Sequence, residues 1–152
     1  MTDDARSLLN ELIETCKDGE QGFTRAAQDV TEDNLKTVFT ECASRCRNGA
    51  AELQTLVGGM GGTPERDGSI KGAVHRGWMD LKTKLTTRDS LAVLEEVERG
   101  EDYAKARYAQ ALKTELAPNV RAVLQRHYEG AVANHDRVRD LRNQYREKVR
   151  KT

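Results

Sequence analysis

The chain has 152 residues, of which 25 are Lys or Arg and 25 are Asp or Glu, so its formal net charge is zero. Hydrophobic residues make up 37% and charged residues 33%, which fits a single domain, residues 1–152, with a small core and a highly charged surface. No apolar run approaches the ~20 residues of a membrane span, and the first residues lack the features of a secretory signal. Three cysteines do not suggest a secreted disulfide framework, so we expect a cytoplasmic protein that does not enter a membrane.

The first half of the chain predicts two long helices. Ala, Leu, Glu, Gln, Arg and Lys dominate, and only two prolines occur, which favours an all-α fold. A stripe of apolar positions spaced by three and four predicts a first helix over residues 4–28. Glu20 lies on that stripe, where a carboxylate is costly unless it is paired, protonated or bound to a metal. A second helix is predicted over residues 34–57, and the short turn before it indicates an antiparallel hairpin.

The second half begins with a loop and predicts three more helices. Residues 58–69 are rich in glycine but lack a Gly-Lys-Ser/Thr ending, so we interpret them as a connector and not as a phosphate-binding loop. A shorter helix is predicted over residues 70–86, and a third long helix over residues 88–115. Pro118 suits the first turn of a fourth long helix, predicted over residues 119–149. The third long helix carries the densest acidic set, Glu95, Glu96, Glu98, Glu101 and Asp102.

The connection between long helices 2 and 3 is much longer than the other two. An up-and-down bundle needs only a short link there. A connector helix of about seventeen residues spans roughly 25 Å, which is enough to return the chain along the bundle. We therefore predict a crossover that makes helices 2 and 3 parallel. That path would bring Glu20, Glu41, Glu98 and His135 to one level of the four helices.

Four segments carry a resemblance to a known family: Asp18-Gly-Glu-Gln-Gly-Phe23, Ala51-Glu-Leu-Gln54, Glu98-Arg-Gly-Glu-Asp102 and His135-Asp-Arg-Val-Arg139. In order and spacing they look like an uncharacterised bacterial four-helix-bundle family, domain of unknown function 2383, which is placed in the ferritin-like superfamily. The likeness covers nearly the whole chain. It implies a ferritin-like four-helix bundle of a bacterial, cytoplasmic protein and suggests a stress-related role, but it implies no known reaction.

Ferritin-like bundles raise the question of a di-metal site. Such a site uses one Glu on each of two helices and Glu-x-x-His on each of the other two, and carboxylates with imidazole suit iron or manganese. The chain contains no Glu-x-x-His, which puts an activity inherited from relatives in doubt. The candidate metal ligands are Glu20, Glu98 and His135, with Glu41, Glu52, Glu129 and Asp136 as further candidates.

Two hypotheses of function follow from this incomplete ligand set. The first is a non-enzymatic bundle without a cofactor, which works by association with itself, a dimer being favoured, or with a protein partner. The alternative is a carboxylate-bridged iron- or manganese-binding protein or oxidase with an atypical ligand set. Neither hypothesis names a catalytic residue.

Two further groups of side chains have competing interpretations. Cys16, Cys42 and Cys46 lie on inward stripes and are predicted to be core thiols; a redox or soft-metal site is the alternative, although no Cys-x-x-Cys occurs. The fourth helix is basic, the first is acidic, and attraction between them is the simpler interpretation. A nucleic-acid surface is the alternative, but the chain lacks an aromatic platform for it. The basic residues concerned are Arg121, Arg126, Arg137, Arg139, Arg142 and Arg146.

Overall fold

Four α-helices make up the part of the chain that the computed structural model describes, residues 2–65 and 87–151, and no strand occurs within those ranges. The helices are α1 (Thr2–Asp29), α2 (Asp33–Gly59), α3 (Thr87–Ala111) and α4 (Pro118–Lys151). The predicted all-α fold class is confirmed. The predicted connector helix, residues 70–86, lies outside the described residues. None of the described helices combines the length and apolar content that crossing a bilayer needs.

The turn between α3 and α4 explains why α3 ends at Ala111, before the predicted position 115. The Arg121 guanidinium donates to the carbonyl oxygens of Leu112 (2.8 Å) and Thr114 (2.6 Å). These contacts satisfy carbonyl groups that the end of a helix leaves without an intrahelical partner. Pro118 opens α4, where its missing N–H costs nothing.

Each helix packs against two others: α1 against α2 and α3, and α4 against α3 and α2. In three of these pairs the residue number rises on one helix as it falls on the other, so the paired helices are antiparallel. The contacts are Arg6–Met60 and Glu20–Arg47 between α1 and α2, Glu41–Arg137 and Glu52–Arg126 between α2 and α4, and Glu95–Arg146 and Asp102–His135 between α3 and α4.

The core consists of two apolar clusters with a polar layer between them. One cluster lies near the α1–α2 turn, where the ring centroids of Phe23 and Phe39 are 6.3 Å apart. The other gathers leucines and valines toward the opposite end of the helices. Fully burying such a side chain contributes about 1.5–3 kcal/mol, so the clusters supply most of the stabilisation. Five buried polar residues fall between the clusters along the chain, Asp18, Glu98, Glu101, Asn134 and His135.

Candidate functional site: a cavity in the polar layer

A cavity of about 500 Å³ lies in this polar layer, and residues of all four helices line it. Small side chains leave the space. A Cβ atom added to Gly19 would lie 2.9 Å from the Sγ of Cys46, and one added to Gly49 would lie 3.6 Å from the Sγ of Cys16. Glycine at position 19 therefore lets α1 and α2 approach closely, whereas the distance at Gly49 is an ordinary contact. The other small or apolar wall residues include Phe23, Gly100, Ala104 and Ala131.

A chain of hydrogen bonds crosses one side of the cavity and includes one residue from each helix. His127 Nε2 on α4 lies 2.8 Å from Glu52 Oε1 on α2. His127 Nδ1 lies 3.2 Å from the Tyr108 hydroxyl on α3, and that hydroxyl lies 3.2 Å from Cys16 Sγ on α1. An ionised carboxylate only accepts, so Nε2 donates to Glu52, and in the neutral imidazole Nδ1 then accepts from Tyr108. The Cys16 thiol then donates to the Tyr108 oxygen.

Glu52 is the end of this hydrogen-bond series that lies at the surface, and its side chain is an ionised carboxylate. Its Oε2 also accepts a hydrogen bond from Arg126 at 2.6 Å. The hydrogen bonds from Arg126 and His127 lower the pKa of Glu52 to about 2. Glu52 is therefore charged throughout the physiological range, and it can hold His127 in one tautomer.

The three cysteines occupy core positions and form no disulfide. Burial raises the pKa of Cys16 to about 11 and that of Cys42 to about 12. Burial also raises the pKa of Cys46 well above its ordinary value. The thiolate is the nucleophile and the metal ligand, so these neutral thiols are chemically quiet at neutral pH. The structure thus gives the cysteines the features of packing residues.

Glu101 on α3 is the most unusual charged group in the cavity wall. Its side chain is only 5% exposed, and within the described residues it makes no hydrogen bond or ion pair. Burial raises its pKa to about 8, Arg45 on α2 opposes that rise, and the neighbouring Asp102 adds to it. Cys16 on α1, Cys46 on α2 and His127 on α4 line the same cavity. At neutral pH the Glu101 carboxyl is therefore mostly protonated.

Three of the predicted ligands, Glu98, His135 and Asp136, lie together on the α3–α4 face. His135 Nε2 lies 3.6 Å from Glu98 Oε2 and 2.8 Å from Asp102 Oδ1. Its Nδ1 lies 3.2 Å from the carboxylate of Asp136. The second oxygen of Glu98 accepts a hydrogen bond from Arg142. One imidazole thus lies among three carboxylates, and an arginine already occupies the most buried of them.

The other predicted ligands are dispersed. Glu20 lies at the edge of the α1–α2 interface, 3.3 Å from the guanidinium of Arg47. Glu41 is exposed and pairs with Arg137 at 2.9 Å, and Glu129 is exposed on α4. Across residues 2–65 and 87–151, no three His, Cys, Asp or Glu side chains form a group that could hold a metal ion.

The arginines of α4 face acids and carbonyl groups of the same molecule. Four of these arginines form ion pairs with acids of α2 or α3, and a fifth forms ion pairs with acids of α4 itself. These ion pairs neutralise much of the basic run that the sequence shows, and mostly exposed pairs of this kind each contribute little stability. The pairs are Arg126–Glu52, Arg137–Glu41, Arg142–Glu98, Arg146–Glu95 and Arg139 with Asp136 and Asp140, while Arg121 binds carbonyl groups.

Sequence reasoning missed the cavity and the residues that define it. Glu101 follows Glu98 by three positions, so it shares that face of α3, but it was visible only as one member of an acidic cluster. Tyr108 lies seven residues further along the same face. Nothing in the sequence pairs Tyr108 with Cys16 or His127, because those contacts depend on how separate helices meet.

Comparison with protein families places most of the chain in a family of unknown function. Residues 4–114 match the family described as "Domain of unknown function (DUF2383)". The match covers most of α1 and all of α2 and α3, and it stops before α4 begins. No curated protein matches the chain. Glu101, Tyr108 and the cysteines therefore lie inside the matched segment, whereas His127 and His135 lie outside it.

Proposed function

The chain belongs to the DUF2383 family, and from that premise we propose that it is a non-enzymatic helical bundle that acts by associating with itself or with a protein partner. One observation carries the proposal. The acids that could hold a metal pair, Glu20, Glu41, Glu52 and Glu98, each contact an arginine of a neighbouring helix. Their role is then to join helices.

The proposed architecture is ferritin-like, with a crossover between α2 and α3. Antiparallel contacts between α1 and α2, between α2 and α4, and between α3 and α4 support it, because they require α2 and α3 to point in the same direction. A connection between two such helices must return along the length of the bundle. A bacterial origin, a cytoplasmic location and a stress-related role complete the proposal, and the family resemblance is their basis.

The paired acids argue against a di-metal centre on physical grounds. A divalent cation that used both oxygens of Glu98 would have to displace Arg142, and one that used both oxygens of Glu20 would have to displace Arg47. Each displacement leaves a guanidinium without its partner, and near Glu98 that group is half-buried. Leaving a charge of this kind unpaired is costly.

The alternative function is binding of iron or manganese. The position of His135 between Glu98 and Asp102 favours it, since imidazole and carboxylates are suitable ligands for both metals. These side chains do not form a metal-binding group as they stand. Glu98, Asp102 and His135 would have to move closer together to hold the ion, which would supply Lewis-acid or redox chemistry. The site offers only one imidazole, whereas the known ligand pattern uses two.

Elemental analysis separates these two functions. We expect protein purified without added metal to contain less than a tenth of an equivalent of iron or manganese, and chelator treatment to leave its Tm unchanged. Anaerobic Fe(II) loading followed by oxygen should give no ferric absorption band. About one or two tightly bound iron ions per chain, lost in Glu98→Ala and retained in Glu95→Ala, would refute the proposal and support the alternative.

Self-association is tested by the mass of the particle in solution. Tyr103, 37% exposed, is the one large hydrophobic side chain exposed among the described residues, so an interface on this surface would be polar. We expect light scattering to give twice the 17.0 kDa chain mass, with dissociation favoured by added salt because exposed charges are screened. A monomer at every concentration would exclude self-association and leave only a different protein partner.

A further inference from the structure

We propose that the cavity between the four helices binds a small organic cation, an amine with a short apolar body, whose ammonium group pairs with the Glu101 carboxylate. The proposal is independent of the association function proposed above. It rests on the cavity itself, on the unpartnered carboxyl group in its wall and on the chemistry of the remaining walls.

The space has the size and composition of a ligand site. Its volume of about 500 Å³ falls within the range of ~300–1,000 Å³ that small-molecule sites occupy. Such sites combine mostly apolar walls with a few polar groups that fix orientation. Phe23, Ala104 and Ala131 supply the apolar surface, and Glu101 supplies a polar group without a partner.

The unpaired carboxyl group indicates the charge of the ligand. A buried acid without a partner must either stay protonated or acquire a positive neighbour, because an isolated buried charge is costly. Arg45, the cation that lowers the pKa of Glu101, makes no ion pair with it, and its guanidinium lies instead against Gly130 of α4. A bound ammonium group would supply the missing charge inside the cavity.

The other polar groups of the wall favour an organic cation over a metal ion. The Tyr108 hydroxyl is already bonded to Cys16 and His127. The thiols of Cys16 and Cys46 are protonated, as their raised pKa values require. Glu41 and Glu52 also line the cavity, but each is paired with an arginine of α4. One unpaired carboxylate with neutral thiols is a poor set of ligands for a divalent metal, but it matches a single ammonium group.

The α2–α4 side offers the entrance. These two helices make the sparsest interface of the bundle, and the exposed Arg45 side chain spans it above Gly130. A Cβ atom at position 130 would collide with the end of that side chain. Glycine therefore gives Arg45 room to lie across the opening, and rotation of this flexible side chain would admit a ligand.

Binding of a cation to Glu101 carries a pH signature. Without a ligand the Glu101 carboxyl group has a pKa of about 8. An ammonium group binds only the molecules in which this carboxyl group is ionised, so binding releases a proton. Affinity should consequently rise by about 15-fold between pH 6.5 and pH 8, in proportion to the ionised fraction. A neutral ligand of the same shape would show no such rise.

The test uses four amines, butylamine, cyclohexylamine, benzylamine and phenethylamine, each beside the alcohol of the same carbon skeleton. Ligand-observed NMR and calorimetry measure binding to the full chain and to Glu101→Gln, Ala104→Leu and the control Glu96→Gln, whose acid lies on α3 outside the cavity wall. We expect at least one amine to bind, with about 30-fold weaker binding to Glu101→Gln, the loss typical of removing one partner of a buried charge pair.

Ala104→Leu should abolish binding by filling the cavity, and Glu96→Gln should bind as the unsubstituted chain does. Ala104→Leu also keeps the test decisive if Glu101→Gln folds poorly. The proposal is overturned if none of the amines binds, if the alcohols bind equally well, or if affinity is flat between pH 6.5 and pH 8.

Discussion

Replacing Glu101 by Gln should stabilise the protein, and increasingly so as the pH rises. Glutamine has nearly the shape of a protonated glutamic acid but cannot ionise. The folded chain holds the Glu101 proton more tightly than the unfolded chain does, since burial raises the pKa from 4.5 to about 8. Between these two pH values Glu101 is protonated in the folded chain and ionised in the unfolded chain. The free energy of unfolding therefore falls as pH rises through this range and levels off above pH 8.

The size of the effect follows from the displaced pKa. Moving the pKa from 4.5 to about 8 corresponds to ~5 kcal/mol in the free energy of unfolding, since each tenfold change in proton affinity is worth about 1.4 kcal/mol. Water that enters the cavity solvates the carboxylate, so this figure is an upper value. A loss of even half that amount is substantial against the ~5–15 kcal/mol that holds a typical domain together.

Urea denaturation of both proteins between pH 5 and pH 8.5 measures the effect. We expect nearly equal stability at pH 5 and a difference that grows to several kcal/mol in favour of Glu101→Gln at pH 8.5. Cys16, Cys46 and Tyr108 around the cavity keep their protons throughout this range, because burial raises the pKa of each.

Glu98→Gln is the matched comparison. Glu98 lies on the same helix and is nearly as buried, but Arg142 is paired with it. Its replacement should destabilise the protein by about 1–3 kcal/mol, because the guanidinium keeps only a weaker acceptor. Parallel pH curves for the unsubstituted chain and Glu101→Gln would show that the carboxyl group is solvated or paired, and the reasoning about the cavity wall would fail.

Three further outcomes are expected. Gly19→Ala should lower the free energy of unfolding by about 1–3 kcal/mol, because the added methyl group would lie 2.9 Å from Cys46 Sγ. Gly130→Ala should raise it by ~0.5–1 kcal/mol through helix propensity, because the added methyl group meets only the flexible end of Arg45. Equal changes for the two variants in urea denaturation would contradict this contrast. Tyr108→Phe should cost about 1–3 kcal/mol in the same melts, because two buried partners lose their hydrogen bond; an unchanged midpoint would mean that water replaces the hydroxyl. The three native thiols should react with iodoacetamide far more slowly than in urea, as mass spectrometry of quenched samples can show, and rapid native labelling would contradict their burial.

The helices could be predicted from the sequence, because the apolar spacing repeats along each one and the turns carry their own signals. Glu20 shows the limit of that spacing. It lies on the apolar stripe of α1 but reaches the edge of the interface, where Arg47 of α2 meets it. A small rotation of a helix about its axis decides between an inward and an edge position, and periodicity does not resolve it.

Only part of the candidate site could be predicted from the sequence. The predicted proximity of Glu98 to His135 is seen in the structure, where the two side chains are 3.6 Å apart. The sequence did not distinguish the paired Glu98 from the unpaired Glu101, since that difference depends on which cations the neighbouring helices present. The hydrogen bond between Cys16 and Tyr108 joins residues 92 positions apart, and no local pattern encodes such a pair.

The hydrogen-bonded series Glu52–His127–Tyr108–Cys16 has a bearing on how the two hairpins can slide past each other. Leucine and valine clusters tolerate a shift of one helical turn, about 5.4 Å, because one apolar contact can replace another. Directional bonds between four different helices do not tolerate such a shift, and a shift of α3 or α4 by one turn would break two of the three hydrogen bonds. The series therefore fixes the axial register of the bundle, and with it the dimensions of the adjoining space.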